Sequence, residues 1–176
     1  MSKEPRRPGR HFLQIPGPTP VPERVLQAMS RQILDHRGPD FQRLGKSVLA
    51  GVKGLFKTKN PVIIYPASGT GAWEAALCNT LSPGDKVLMV ETGQFAVLWQ
   101  QMADRLGLIP DVIATDWRIA VDANQIEAKL RADKGHSIKA VCVVHNETST
   151  GCCTRLDEVR KAIDAAGHPA LYMADT

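Results

Sequence analysis

The hydrophobic pattern of the chain changes period near residue 60. Before it, Phe41 to Lys57 carries Leu44, Val48, Leu49, Val52, Leu55 and Phe56 at the three-and-four spacing of a helix with one apolar side. Val25, Leu26 and Met29 give Glu23 to Met29 the same character, and His36-Arg37-Gly38-Pro39 between the two reads as a turn. After it, short apolar runs alternate with amphipathic stretches. Val62 to Pro66, Lys86 to Val90, Asp111 to Ala114, Ala140 to Val144 and Ala170 to Ala174 are predicted strands. Gly71 to Leu81, Phe95 to Leu106, Asn124 to Ala132 and Leu156 to Ala166 are predicted helices. Strands with little polar alternation, separated by helices, predict an α/β fold: a largely parallel sheet with helices on both faces. No internal repeat is present.

Proline sets the organisation at the N-terminus. Ile15-Pro16-Gly17-Pro18-Thr19-Pro20-Val21-Pro22 can be neither a helix nor a central strand, so residues 1–22 read as an arm preceding the α/β layer of 23–176. At the other end the last predicted strand runs into Asp175-Thr176 with no covering helix after it, so the sequence reads as the first portion of a larger domain.

Composition narrows the class. With 43% hydrophobic and 23% charged residues the chain has the balance of a globular protein and not a disordered one. The net charge of +4 owes much to Arg6, Arg7 and Arg10, and within the first ten residues no aromatic residue or repeat points to nucleic acid. No stretch approaches the roughly 20 apolar residues of a membrane span, and the N-terminus lacks the apolar core of a secretory signal. The cysteines Cys78, Cys142, Cys152 and Cys153 show no C-x-x-C spacing, and no Cys/His/Asp cluster has metal-ligand spacing, so no metal is expected. Cys78 and Cys142 read as buried small hydrophobes and the adjacent pair as reduced thiols beside a turn, which suits a cytoplasmic compartment.

Ligands of open parallel sheets sit at the carboxyl ends of the strands. There the pattern gathers Ser68 to Ala72, Gly93-Gln94-Phe95, the 145–151 segment and Asp175. Ser68-Gly69-Thr70-Gly71-Ala72, where a strand turns into a helix, offers free N–H groups, close backbone approach and hydroxyls to a phosphate. Phe95 offers a flat face, the hydroxyls of 148–150 suit a phenolic oxygen, and a carboxylate at Asp175 suits a protonated ring nitrogen. Singly, each has a plainer role, as a helix cap, a core ring, a loop hydroxyl or a turn residue. Together they describe a pocket for pyridoxal 5′-phosphate.

On this pattern the chain resembles a family. Ile15-Pro16-Gly17-Pro18-Thr19, Asp35-His36-Arg37-Gly38-Pro39, Ser68-Gly69-Thr70-Gly71-Ala72-Trp73-Glu74, Thr80-Leu81-Ser82-Pro83-Gly84-Asp85, Gly93-Gln94-Phe95 and His145-Asn146-Glu147-Thr148-Ser149-Thr150-Gly151, in this order, resemble the class V aminotransferases, and most nearly their serine–glyoxylate and alanine–glyoxylate branch. The resemblance implies the large domain of a fold-type I pyridoxal-phosphate transferase. It implies that Thr70, Gly71 and Ala72 hold the cofactor phosphate while Ser68 and Gly69 shape the turn. Phe95 would stack on the ring, Thr148 would sit near the phenolic oxygen, and Asp175 would pair with the ring nitrogen. Pro16, Gly17 and Pro18 would line the substrate entrance, or else form a rigid arm against a partner subunit. His145 would anchor its loop, and His36 and Arg37 either reach a dimer-related site or form a solvated turn.

The implied reaction carries an amino group from a small amino acid, serine or alanine, to glyoxylate, in a homodimer with amino-acid and 2-oxo-acid substrates. The family's Schiff-base lysine and small C-terminal domain are expected beyond Thr176, since Lys57, Lys59 and Lys139 stand in the wrong places. The 176 residues alone are therefore expected to be inactive. Other readings are a ureidoglycine–glyoxylate aminotransferase, a cysteine desulfurase-like lyase, a nucleotide-binding module without catalysis, or an interaction fragment. Phe95 where a lyase of that kind carries histidine, and the lack of G-x-G-x-x-G or a P-loop, speak against the second and third.

Overall fold

The computed structural model describes residues 13–176, so Arg6, Arg7, Arg10 and the first part of the arm lie outside the described residues. The described chain divides into two units between Ile64 and Tyr65.

The first unit contains α1 (Glu23–Met29) and α2 (Pro39–Leu55). The predicted turn between them is set by Asp35: its side chain accepts the Arg37 N–H at 3.0 Å and its carbonyl the Gly38 N–H at 2.9 Å. Pro39 opens α2, where a missing N–H costs nothing because first-turn donors have no intrahelical partner. The apolar side of α2, with Leu44, Val48, Leu49 and Leu55, is exposed within the chain. One expectation fails here: residues 61–65 are irregular and, except for the partly buried Val62, exposed, and they form no strand. The apolar run Val62 to Tyr65 has the composition of a strand, but a strand is held by its ladder, and none of the described residues pairs with it.

The second unit holds α3 (Gly69–Thr80), β1 (Lys86–Glu91), α4 (Gln94–Arg105), β2 (Ile109–Ala114), α5 (Ala123–Ala132), β3 (Ile138–Val144), the short β4 (Asn146–Glu147) and β5 (Cys152–Cys153), α6 (Leu156–Ala166) and β6 (Leu171–Asp175). The main sheet has the order β2-β1-β3-β6 and every pairing in it is parallel, as predicted. β4 and β5 form a separate antiparallel ribbon. β2 begins at Ile109 and tolerates Pro110 because it is an edge strand.

Side chains of a strand alternate between faces, and the two cores follow from that. Val87 and Met89 of β1 and Ala140, Cys142 and Val144 of β3 pack with Trp73 and Leu77 of α3 and Ala96, Trp99 and Ala103 of α4. Leu88 and Val90 of β1 and Val141 and Val143 of β3 pack with Ile126 and Leu130 of α5 and Val159 and Ile163 of α6. Helices therefore cover both faces. The chain moves outward from β1 to β2 through α4, then back across β1 to β3 through α5. This reversal leaves a crevice at the carboxyl ends of β1 and β3, where ligands of such sheets bind.

Candidate functional site

Four segments reach the carboxyl edge of the sheet: the start of α3, the turn from β1 into α4, the turn from β3 into the β4–β5 ribbon, and the end of β6. They are tied to one another by identifiable contacts.

The start of α3 is an open donor site. Ser68 precedes the helix in an extended conformation, and no side chain caps the first turn. The helix begins two residues earlier than its apolar pattern indicates, because Gly69 and Thr70 are already helical. Within that turn, Gly71 and Ala72 donate to the Ser68 carbonyl, at 3.0 and 3.4 Å. The preceding N–H groups of Gly69 and Thr70 have no intrahelical acceptor, and Ser68, Gly69 and Thr70 are exposed. Gly71 is required sterically: a Cβ there would come 2.6 Å from the Ala67 Cβ.

The turn from β1 into α4 rests on a residue whose role the sequence did not disclose. Glu147 is 1% exposed, yet its carboxylate serves the first turn of another helix. Oε1 accepts from the Phe95 N–H at 3.3 Å and Oε2 from the Ala96 N–H at 3.1 Å. Oε1 also accepts from the Ser149 N–H at 3.2 Å and the Ser149 hydroxyl at 2.7 Å, and Ser149 Oγ in turn accepts the Gln94 N–H at 2.9 Å. Glu147 is thus the N-terminal cap of α4, supplied from more than fifty residues away. Gly93 leaves the room for it: a Cβ there would lie 2.5 Å from Glu147 Cγ and 2.6 Å from Ser149 Oγ. A glycine followed by a helix start, with an acid and a serine two apart after a buried strand, was the signal available in the sequence.

Phe95 emerges from this capped turn with 37% of its surface exposed, and its ring meets Trp73 of α3 edge-on at 6.4 Å between centroids. Thr148 lies exposed in the turn that carries Glu147 and Ser149. The Thr150 hydroxyl of that turn donates to the Thr92 carbonyl at 3.2 Å, joining the loops after β1 and β3. His145 anchors its loop through its backbone, as expected: its N–H donates to the Asp175 carbonyl at 2.8 Å and its carbonyl accepts the Thr154 N–H at 2.7 Å.

Asp175 ends β6, half-buried, beside Val144 of β3. Burial pushes its carboxyl above the ordinary range, the Trp73 side chain pulls the other way, and the Glu147 charge adds to the rise. No ion pair among the described residues engages it. A half-buried carboxyl without a cation has electrostatic room for one. Open N–H donors at α3 and an uncompensated acid at β6 fit a ligand that is anionic at one end and a proton carrier at the other.

Some expectations lie elsewhere or need correction. Pro16, Gly17 and Pro18 are exposed in the first unit. Cys142 is buried, and burial raises its thiol to about 12, so it is no nucleophile. Cys78 is exposed and not buried as its pattern suggested, because α3 buries the side bearing Trp73 and Leu77 and the next position turns away. All four cysteines are free thiols. Among the described residues no group of acidic, His and Cys side chains could hold a metal ion, and no helix is long and apolar enough to cross a membrane.

The family model for aminotransferase class-V matches residues 11–176. The chain is 53% identical over 171 residues to a serine–glyoxylate aminotransferase of Methylorubrum extorquens, covering 97% of this chain and 42% of that protein. It is 46% identical to an L-aspartate–glyoxylate aminotransferase of Paracoccus denitrificans, covering 92% of this chain and 41% of the relative. Among solved structures, an alanine–glyoxylate aminotransferase from Nostoc sp. superposes with a TM-score of 0.84 at 28% identity, over 99% of this chain and 45% of that one. The chain thus spans less than half the length of the proteins it matches.

Proposed function

Because the chain belongs to the class-V aminotransferase family, we propose that it is the cofactor-binding portion of a pyridoxal-phosphate-dependent aminotransferase that moves the amino group of a small amino acid to glyoxylate. The products are glycine and the 2-oxo acid of the donor. The observation that carries this reading is the 53% identity to a serine–glyoxylate aminotransferase, sustained over 171 residues, 97% of the chain. Serine and alanine are the proposed donors, and the aspartate-named relative adds aspartate as the donor to set against them.

The residues divide the work by their chemistry. Ser68, Gly69, Thr70, Gly71 and Ala72 bind the phosphate through first-turn N–H groups, hydroxyls and the positive end of α3. Phe95 gives the flat apolar surface for the ring, held by the cap on α4. Thr148 supplies a hydroxyl toward the ring oxygen. Asp175 keeps a proton at the ring nitrogen, and its own buried charge is compensated by doing so. When bound, the cofactor supplies an electron-withdrawing ring that stabilises the charge left when the donor loses its α-proton. Pro16, Gly17 and Pro18 border the substrate entrance in this reading. The protein acts as a homodimer in the cytoplasm, where free cysteines persist.

The test is a transamination assay on the full-length protein with pyridoxal phosphate, glyoxylate and serine, alanine or aspartate in turn. Glycine formed from glyoxylate with serine or alanine is expected. No glycine from any of the three donors, in a protein that binds the cofactor, would exclude this substrate class.

A further inference from the structure

One buried polar atom near the site has no hydrogen-bond partner. The indole N–H of Trp73 is shielded from solvent in a residue 6% exposed, and it closes a hydrogen bond with no acceptor. An orphaned buried donor costs free energy, so its retention calls for an explanation. Its surroundings supply one. Trp73 follows the phosphate turn directly in α3, its ring stacks on Trp99 of α4 at 5.6 Å and 15°, and it meets the Phe95 ring edge-on at 6.4 Å and 73°. Met173 packs against the same core as Trp73, whereas Tyr172 packs on the opposite face. Asp175, two residues beyond Met173, therefore rises on the Trp73 side of the sheet. The indole opposes the effect of burial on the Asp175 carboxyl from that side of the sheet, and its N–H closes no bond with the group.

We propose that Trp73 is a positioning residue for the cofactor: one indole, stacked on Trp99, meets the Phe95 ring edge-on and offers its free N–H on the side of the sheet where Asp175 stands. The inference rests on the pyridoxal-phosphate reading of the site. It assigns to a single side chain the link between phosphate turn, stacking ring and nitrogen partner. Glu147 opposes ionisation of the Asp175 carboxyl, and the backbone N–H of His145, just beyond β3, donates to the Asp175 carbonyl and not to its side chain. Trp73 is thus the neighbour that favours the charged form.

The test measures equilibrium binding of pyridoxal phosphate to the full-length protein across the acidic pH range, for wild type, Trp73→Phe and Trp99→Phe. Trp99 carries an equally buried, unpartnered N–H in the same stack and serves as the packing control. Trp73→Phe keeps an aromatic ring and deletes the donor. Its affinity is expected to fall about tenfold at neutral pH, with the acid limit of binding moved up by about one unit. Trp99→Phe is expected to leave both unchanged. An acid limit in Trp73→Phe identical to wild type, or an equal shift in Trp99→Phe, overturns the inference. Absence of saturable binding in wild type would instead overturn the cofactor reading itself. If Trp73→Phe does not fold, a benzothienyl side chain introduced at position 73 by codon suppression has the indole outline without its N–H. It is judged by the same two outcomes.

Discussion

Replacing Glu147 tests how the turn that presents Phe95 is held. In Glu147→Ala the Phe95, Ala96 and Ser149 N–H groups and the Ser149 hydroxyl lose their acceptor. Loss of a helix cap costs about 1–2 kcal/mol. The Ala96 N–H is buried, and leaving such a donor without a partner adds about 1–3 kcal/mol. A local loss of about 3 kcal/mol follows, which corresponds to roughly a hundredfold rise in the opening of the first turn of α4. Glu147→Gln keeps one acceptor oxygen but turns an NH2 toward backbone donors, so about half that loss is expected. The assay is amide hydrogen exchange read by mass spectrometry on peptides covering 93–99, with the β3 strand as internal reference. Faster exchange confined to 93–99 and to the 147–150 turn is expected, in the order Ala, Gln, wild type. Unchanged protection of 93–99 in Glu147→Ala would refute the cap.

Other outcomes follow from the same structure. Gly93→Ala drives a methyl into Glu147 and Ser149, and an overpacking cost of about 1–3 kcal/mol should appear as a lower melting temperature, where an unchanged one would contradict the close approach. At the opposite end of the sheet, the Ile138 N–H, ahead of Ser137 and His168, holds the Asp133 carboxyl well below its ordinary 3.8 although burial opposes it. A depressed carboxyl contributes its full stability above the unfolded value and loses it as pH falls below that value. The melting temperature of wild type should therefore fall more steeply below pH 4 than that of Asp133→Asn, and parallel curves would count against the network. Cys142, 1% exposed, should react with a thiol reagent only on unfolding, as peptide mapping of labelled native protein can show.

Much of the second unit could be read from the chain because its signals are local. Lys86 to Val90 and Ala140 to Val144 are apolar on both sides, and that alone marks strands covered by two helical layers. The helices predicted over 95–106 and 156–166 stand at 94–105 and 156–166. What sequence could not convey was contact between distant segments. Val62 to Tyr65 looks like a strand because composition is local, whereas a strand exists only with a neighbour. Glu147 has no role legible in the sequence, since its partners lie at 95 and 96 and nothing in spacing links them. Cys78 differs from Leu77 by one position, and a helix turns about 100° in that step, so an apolar run alone could not separate them. Trp73 stood in the sequence only as part of the predicted Gly71 to Leu81 helix, and the fold puts it in the core. Its orphaned N–H could be seen only with Asp175 beside it.

The cofactor cradle itself is tested most directly by a crystal structure of the full-length protein soaked with pyridoxal phosphate. The phosphate is expected on the N–H groups at the start of α3, between Ser68 and Ala72, with the ring against Phe95 and its nitrogen facing Asp175. Phosphate density bound elsewhere, with the start of α3 left to solvent, would contradict the assignment.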